Sequence, residues 1–179
     1  MQALLIIDMQ NFVEDRIAQG VEFAPSGCIE NMIEVVRHFR AQGKPIIHIR
    51  HESNVSGSTL SKNSFHAAPI PAFAPLKGET VFIKSTSSAF ASTELCSYLQ
   101  SAGLRDVAVI GAVAGYCVNS TVRAGADLGF KMTVIRDAII SFSLPEVGLK
   151  APTVLDVTLG LLDGEFAQLV ATEEQCSVH

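Results

Sequence analysis

Three residues with reactive side chains each follow a short apolar run. Asp8 comes directly after Leu4-Leu5-Ile6-Ile7 and Lys84 after Val81-Phe82-Ile83, while Cys117 lies in the small-residue stretch Gly111-Ala112-Val113-Ala114-Gly115-Tyr116-Cys117. Taken singly, each has an ordinary role: an acid there can anchor a loop, a lysine can snorkel to solvent, and a lone thiol is often core. Together they supply most of what thiolate attack on a carbonyl requires. Asp8 is placed to take the thiol proton, Lys84 to sit beside developing negative charge, and loop N–H groups near Cys117 to hold an oxyanion. A helix is expected to begin near Cys117, and the positive end of its dipole favours the thiolate.

Other candidates are weaker. His48-Ile49-Arg50-His51-Glu52 offers a His-x-x-His-Glu cluster, but residues three apart on a strand face opposite sides, so no metal centre is expected. His48 and Arg50 share a face and are read as pocket lining or as partners of the loop that starts at Glu52. Phe12, Phe90 and Tyr116 are candidate pocket walls. Cys28 and Cys96 fall in helical patterns and read as structural, and Cys176 has no evident partner. GxGxxG, Walker A, GxSxG and HExxH patterns are absent, and no cofactor is expected.

If these residues are to meet, the chain must bring several strand ends together. Apolar strands at Ala3–Ile7, Pro45–Arg50, Thr80–Lys84, Val107–Gly111, Lys131–Arg136 and Ala167–Ala171 alternate with helical patterns. Those helices run from a Ser26 cap to Gln42, from Ser92 or Thr93 to Gly103, from near Cys117 to Leu128, and over Thr153–Leu162. The alternation predicts an α/β domain of three layers, α/β/α, with a mostly parallel sheet of about six strands. In such sheets the site lies beyond the carboxyl ends of the strands, which is where Asp8, Lys84 and Cys117 stand. With strand order 3-2-1-4-5-6, strand 2 separates Asp8 from Lys84 by about 10 Å, a gap a leaning lysine side chain must cross. The unpatterned segment Glu52–Gly78 reads as a lid or a subunit contact.

Length and composition bound the partners. The chain has 179 residues, 48% of them apolar, with Lys+Arg 13 against Asp+Glu 18 and a formal net charge of −5. This suits one globular domain over residues 1–179 and argues against nucleic acid as a partner. No apolar run reaches the roughly 20 residues that span a bilayer, and no charged segment precedes Leu4, so no membrane partner is expected. The four spread cysteines favour a cytoplasmic location. A mean hydropathy of +0.33 suggests a homo-oligomer that buries apolar surface.

The segments LLIIDMQ (Leu4–Gln10), Val81–Lys84 with Ser88-Ala89-Phe90, and GAVAGYCV (Gly111–Val118) resemble the isochorismatase-like cysteine hydrolase family. The likeness extends over most of the chain, including Pro45–Glu52, Ala124–Gly129 and Val134–Ala138. It implies a Rossmann-like topology, a catalytic set of Asp8, Lys84 and Cys117, a non-proline cis peptide at Ala112–Val113, and an oxyanion hole from the N–H groups of Val113 and Cys117. The implied activity is hydrolysis of a C–N bond in a small amide, ureide or carbamoyl substrate through a Cys117 thioester, in an assembly of two or four copies. Two features depart from the family pattern. Ala114 stands where many members carry Thr, which removes a side-chain hydrogen bond to substrate, and the Asp-x-His metal set of the nicotinamidase branch is missing, which disfavours nicotinamide. Alternatives are an isochorismate-type vinyl ether hydrolase, whose branch lacks the cysteine, a catalytically silent binding domain of the same fold, and a flavodoxin-like redox module.

Overall fold

The computed structural model describes residues 1–177. Its strands are β1 (Gln2–Ile7), β2 (Phe23–Ala24), β3 (Ile46–His51), β4 (Thr80–Lys84), β5 (Asp106–Ala112), β6 (Lys131–Phe142) and β7 (Gln168–Val170). The α-helices are α1 (Asn11–Ala18), α2 (Cys28–Ala41), α3 (Leu95–Ser101), α4 (Asn119–Asp127), α5 (Ala151–Leu162) and α6 (Thr172–Ser177). Six strands run parallel in the order β4-β3-β1-β5-β6-β7, and β2 adds an antiparallel pair at the far end of β6. The parallel order is the expected one, and the sheet gains a seventh strand only through β2.

The strands are apolar on both sides because both faces are covered. Ala3, Leu5 and Ile7 of β1 pack with Val107 and Val109 of β5 beneath α3, α4 and α5. Leu4 and Ile6 point the other way, joining Ala108 and Ile110 against α1 and α2. The result is the three-layer α/β/α arrangement. Among the described residues, no helix is long and apolar enough to cross a membrane.

Four local features differ from the sequence reading. Helices α1 and α6 arise where none was expected, α1 having only Asn11 and Val13 fully buried, too short a stripe to register as periodicity. Helix α2 starts at Cys28 behind Gly27 at φ 78°, with no side-chain cap from Ser26. Strand β6 continues through Arg136 and Asp137 to Phe142, helped by a register shift opposite Val109 and Gly111 of β5. The Glu52–Gly78 segment holds two short 3-10 turns, Phe65–Ala67 and Pro71–Phe73, and is stapled to the start of α1 by hydrogen bonds from Gln10 to the Ala67 carbonyl and from Asn11 to the Phe65 carbonyl.

Gly111 decides how closely β1 and β5 approach where the site begins. It sits at φ 121°, and a Cβ there would lie 2.1 Å from the Ile7 carbonyl oxygen. The nearest atoms are all backbone of Ile7, which cannot yield cheaply. Gly111→Ala is expected to destabilise the protein by about 3 kcal/mol, lowering the melting temperature by about 6–12 °C. Thermal unfolding followed by circular dichroism checks this, and an unchanged transition would refute the close approach.

Candidate active site

The end of β1 aims the carboxylate. Asp8 leaves the strand at φ 50°, a left-handed conformation that an aspartate tolerates better than most residues. Its N–H extends the β1–β3 ladder by donating to the Ile49 carbonyl at 2.9 Å, and its own carbonyl accepts from the Gln10 N–H. Two strands away, Lys84 closes β4 with no exposed surface. It lies on the same face as Phe82, beside His51 in register, and its side chain runs over the end of β3. Nζ stands 2.8 Å from Asp8 Oδ2, so the lysine crosses the gap that the strand order imposes.

Cys117 arrives from β5. The Ala112–Val113 peptide bond is cis, and Ala114–Val118 forms a single π-helical turn that runs into α4. The thiol therefore sits inside an irregular turn, with Lys84 Nζ 3.2 Å from its sulfur. The third contact of Nζ is His51 Nδ1 at 3.1 Å. An ammonium has three protons and no acceptor, so Asp8, Cys117 and His51 between them use all three. His51 Nδ1 must then accept, which puts the ring proton of the neutral imidazole on Nε2.

Ligand atoms of Asp8, His51 and Cys117 lie within 4.8 Å of one another, a donor set that could hold a metal ion. Lys84 Nζ is within hydrogen-bond distance of all three residues, so the cation in this cluster is the chain's own lysine. His48 takes no part. As its strand position requires, it faces the α2 side, where Nε2 meets Glu79 at 2.8 Å, and Arg40 binds the same carboxylate at 2.7 Å.

The electrostatics reverse one expectation. Burial first, then the neighbouring Asp8 carboxylate, push the Cys117 thiol up to about 12 against the pull of Lys84. Burial also raises Asp8 above its ordinary value, although Lys84, Cys117 and His51 oppose the shift. Burial and the charge of Lys84 hold His51 below the usual imidazole range. The resting thiol is thus protonated, in place of the thiolate expected at a helix N-terminus, because desolvation next to an acid outweighs the turn's dipole. Among the described residues, Asp8 Oδ1 is buried without a hydrogen-bond partner, an acceptor held in reserve beside the thiol.

A cavity of about 260 Å³ opens on this group, lined by Asp8, His51, Cys117, Val113, Phe12, Arg16, Tyr116 and Leu60. Of the expected pocket residues, Phe12 and Tyr116 reach it. His48, Arg50 and Phe90 do not: His48 and Arg50 face the α2 side of β3, where Arg50 pairs with Glu52 at 3.1 Å, and Phe90 stacks on Phe130 in the core. Residues that sequence reasoning passed over are His51, weighed only as a metal ligand, and Gln10. The Gln10 amide bonds both the N–H and the carbonyl of His51, fixing the strand end that carries the imidazole. The sequence signal for Gln10 was its place two residues after Asp8.

Comparison with known proteins agrees with this architecture. The isochorismatase domain model matches residues 2–148, and the chain belongs to the isochorismatase family. A crystal structure of a family protein from Chromobacterium violaceum superposes with a TM-score of 0.92 at 30% identity, covering 98% of this chain and 92% of that one. The isochorismatase family protein YddQ of Bacillus subtilis (strain 168) is 29% identical over 177 residues, 96% of each chain. N-carbamoylsarcosine amidase of Arthrobacter sp. is 31% identical over 121 residues, 68% of this chain and 43% of that enzyme.

Two pH-dependent outcomes follow from these charges. Alkylation of Cys117, read by site-resolved mass spectrometry, is expected to stay slow at neutral pH and to accelerate as pH rises toward the raised thiol pKa. Alkylation at neutral pH as fast as that of a thiolate would contradict the protonated resting state. At Glu79, burial raises the carboxyl but Arg40, the Leu76 N–H and His48 outweigh it and hold it at about 2. A carboxyl depressed in the folded state contributes stability above its unfolded pKa and loses it as pH falls toward the folded value. Wild-type stability should therefore decline between pH 4.5 and about 2, and Glu79→Gln should flatten that decline in acid unfolding curves.

Proposed function

We propose that this protein is a cysteine hydrolase cleaving the C–N bond of a small amide, ureide or carbamoyl compound. The observation that carries the reading is a fully buried lysine bonded at once to a carboxylate and a thiol that share one cavity. Support also comes from the relationship to N-carbamoylsarcosine amidase, which by its name acts on a carbamoyl amide.

The charges suggest the order of events. A substrate carbonyl enters the cavity and Asp8 takes the Cys117 proton as Sγ attacks the carbonyl carbon. A thiol with pKa near 12 needs such a base, and an aspartate raised by burial is better matched to the task than an ordinary one. Lys84 keeps its protons and offsets the negative charge as it passes from carboxylate to sulfur. The N–H groups of Val113 and Cys117 hold the tetrahedral oxyanion. Asp8 returns the proton to the leaving nitrogen, which departs as ammonia or an amine and leaves a thioester. Water, deprotonated by Asp8, then attacks the thioester to release the acid and restore the thiol.

Ammonia release from a panel of amides and ureides tests the reading. Cys117→Ala and Asp8→Asn should each lower kcat/KM by at least about 10³-fold. The acid limb of the kcat/KM profile should fall at a pH above the ordinary aspartate range, because Asp8 must be ionised to act and burial raises its pKa. Undiminished turnover in Cys117→Ala would remove the proposal.

A further inference from the structure

The cavity at Cys117 continues into another. Phe12, Arg16 and Leu60 line it and also line a larger cavity of about 580 Å³, so the two form one cleft along α1. Most charges facing this cleft are matched within the chain. Asp8 and His51 both bind Lys84, and Asp15 in the outer compartment is bonded to His66 Nδ1. Arg16 differs. Its guanidinium carbon lies 4.4 Å from the centroid of the Phe142 ring, and among the described residues it forms no ion pair. Held over that ring, the guanidinium leaves its N–H fork to other partners, and that fork matches a carboxylate in two-point geometry. A half-buried arginine between two parts of a cleft, unmatched by any acid of the chain, implies that the counter-charge arrives with the ligand.

We propose that Arg16 determines specificity and that the substrate is a small amide bearing a carboxylate, with the carboxylate on Arg16 and the amide carbonyl at Cys117. The amide end of this assignment rests on the cysteine hydrolase reading, and the carboxylate end rests on the cleft alone. Phe12 and Leu60, common to both compartments, flank the path between them, which suits a short methylene chain.

The test compares malonamate, succinamate and glutaramate with the neutral alkyl amides of equal chain length. At least one acid should be preferred by about tenfold or more in kcat/KM, with the preference shrinking as salt is added. Arg16→Gln should lower turnover of the acid at least about tenfold more than that of the neutral amide, through KM, and Arg16→Lys should keep part of the preference. Equal use of acid and neutral amides by the wild type, or a preference that survives in Arg16→Gln, would overturn the assignment. If Arg16→Gln fails to fold, Arg16→Lys and the salt dependence of the wild type decide. If none of these amides is turned over, titration calorimetry of Cys117→Ala with the same compounds settles the carboxylate independently, and the ammonia-release panel of amides and ureides decides the hydrolase reading. Tighter binding of the acid that is lost on adding Arg16→Gln sustains the role of Arg16, and equal binding ends it.

Discussion

The site depends on one buried ammonium. Lys84 has no exposed surface, and leaving its charge unmatched inside the protein would cost several kcal/mol. Its three contacts, at 2.8, 3.1 and 3.2 Å, come from the ends of two strands and the turn that follows a third. Each contact fixes a different part of the chain: Asp8 the exit of β1, His51 the end of β3, and Cys117 the turn after β5. Removing any one leaves a buried proton donor without an acceptor, so the three segments are held in a common position.

That arrangement also sets the charge balance. Lys84 favours negative charge on Asp8 and Cys117, yet burial disfavours charge on both, and the two acids repel each other's ionised forms. Protonated thiol beside ionised carboxylate is the state with one negative charge for one ammonium. Moving the proton from sulfur to Asp8 keeps that count, which is why a high thiol pKa is compatible with nucleophilic attack: the charge moves within the contact shell of Lys84 and is never created in isolation.

Helix α1 ties this centre to the rest of the cleft. The left-handed turn at Asp8 lets the chain enter α1 within three residues, so one backbone bend aims the carboxylate and places Phe12 and Arg16 along the opening. Gln10, between them, pins the His51 backbone and the Ala67 carbonyl together, linking β3 to the long loop. Leu60 of that loop then walls both compartments, a position for which the loop's sequence carries no local pattern.

The apolar strands, their parallel arrangement and the placement of Asp8, Lys84 and Cys117 at or just beyond strand ends are legible in the sequence, because burial on both faces writes unbroken apolar runs and the reactive residue that follows each run stands out. It did not reveal α1, whose two buried positions make no period, nor the continuation of β6 past Arg136 and Asp137, where polar residues interrupt the run. The ionisation of Cys117 is not legible there for a related reason: a helix start can be read locally, whereas desolvation and the nearness of Asp8 exist only in the packed structure. The same holds for His51, whose alternation on β3 excluded a metal pair with His48 but did not indicate that Lys84 would take its Nδ1. Local pattern decides which residues leave a strand end. Only tertiary packing decides what each one meets there, since those partners come from segments far apart in the chain.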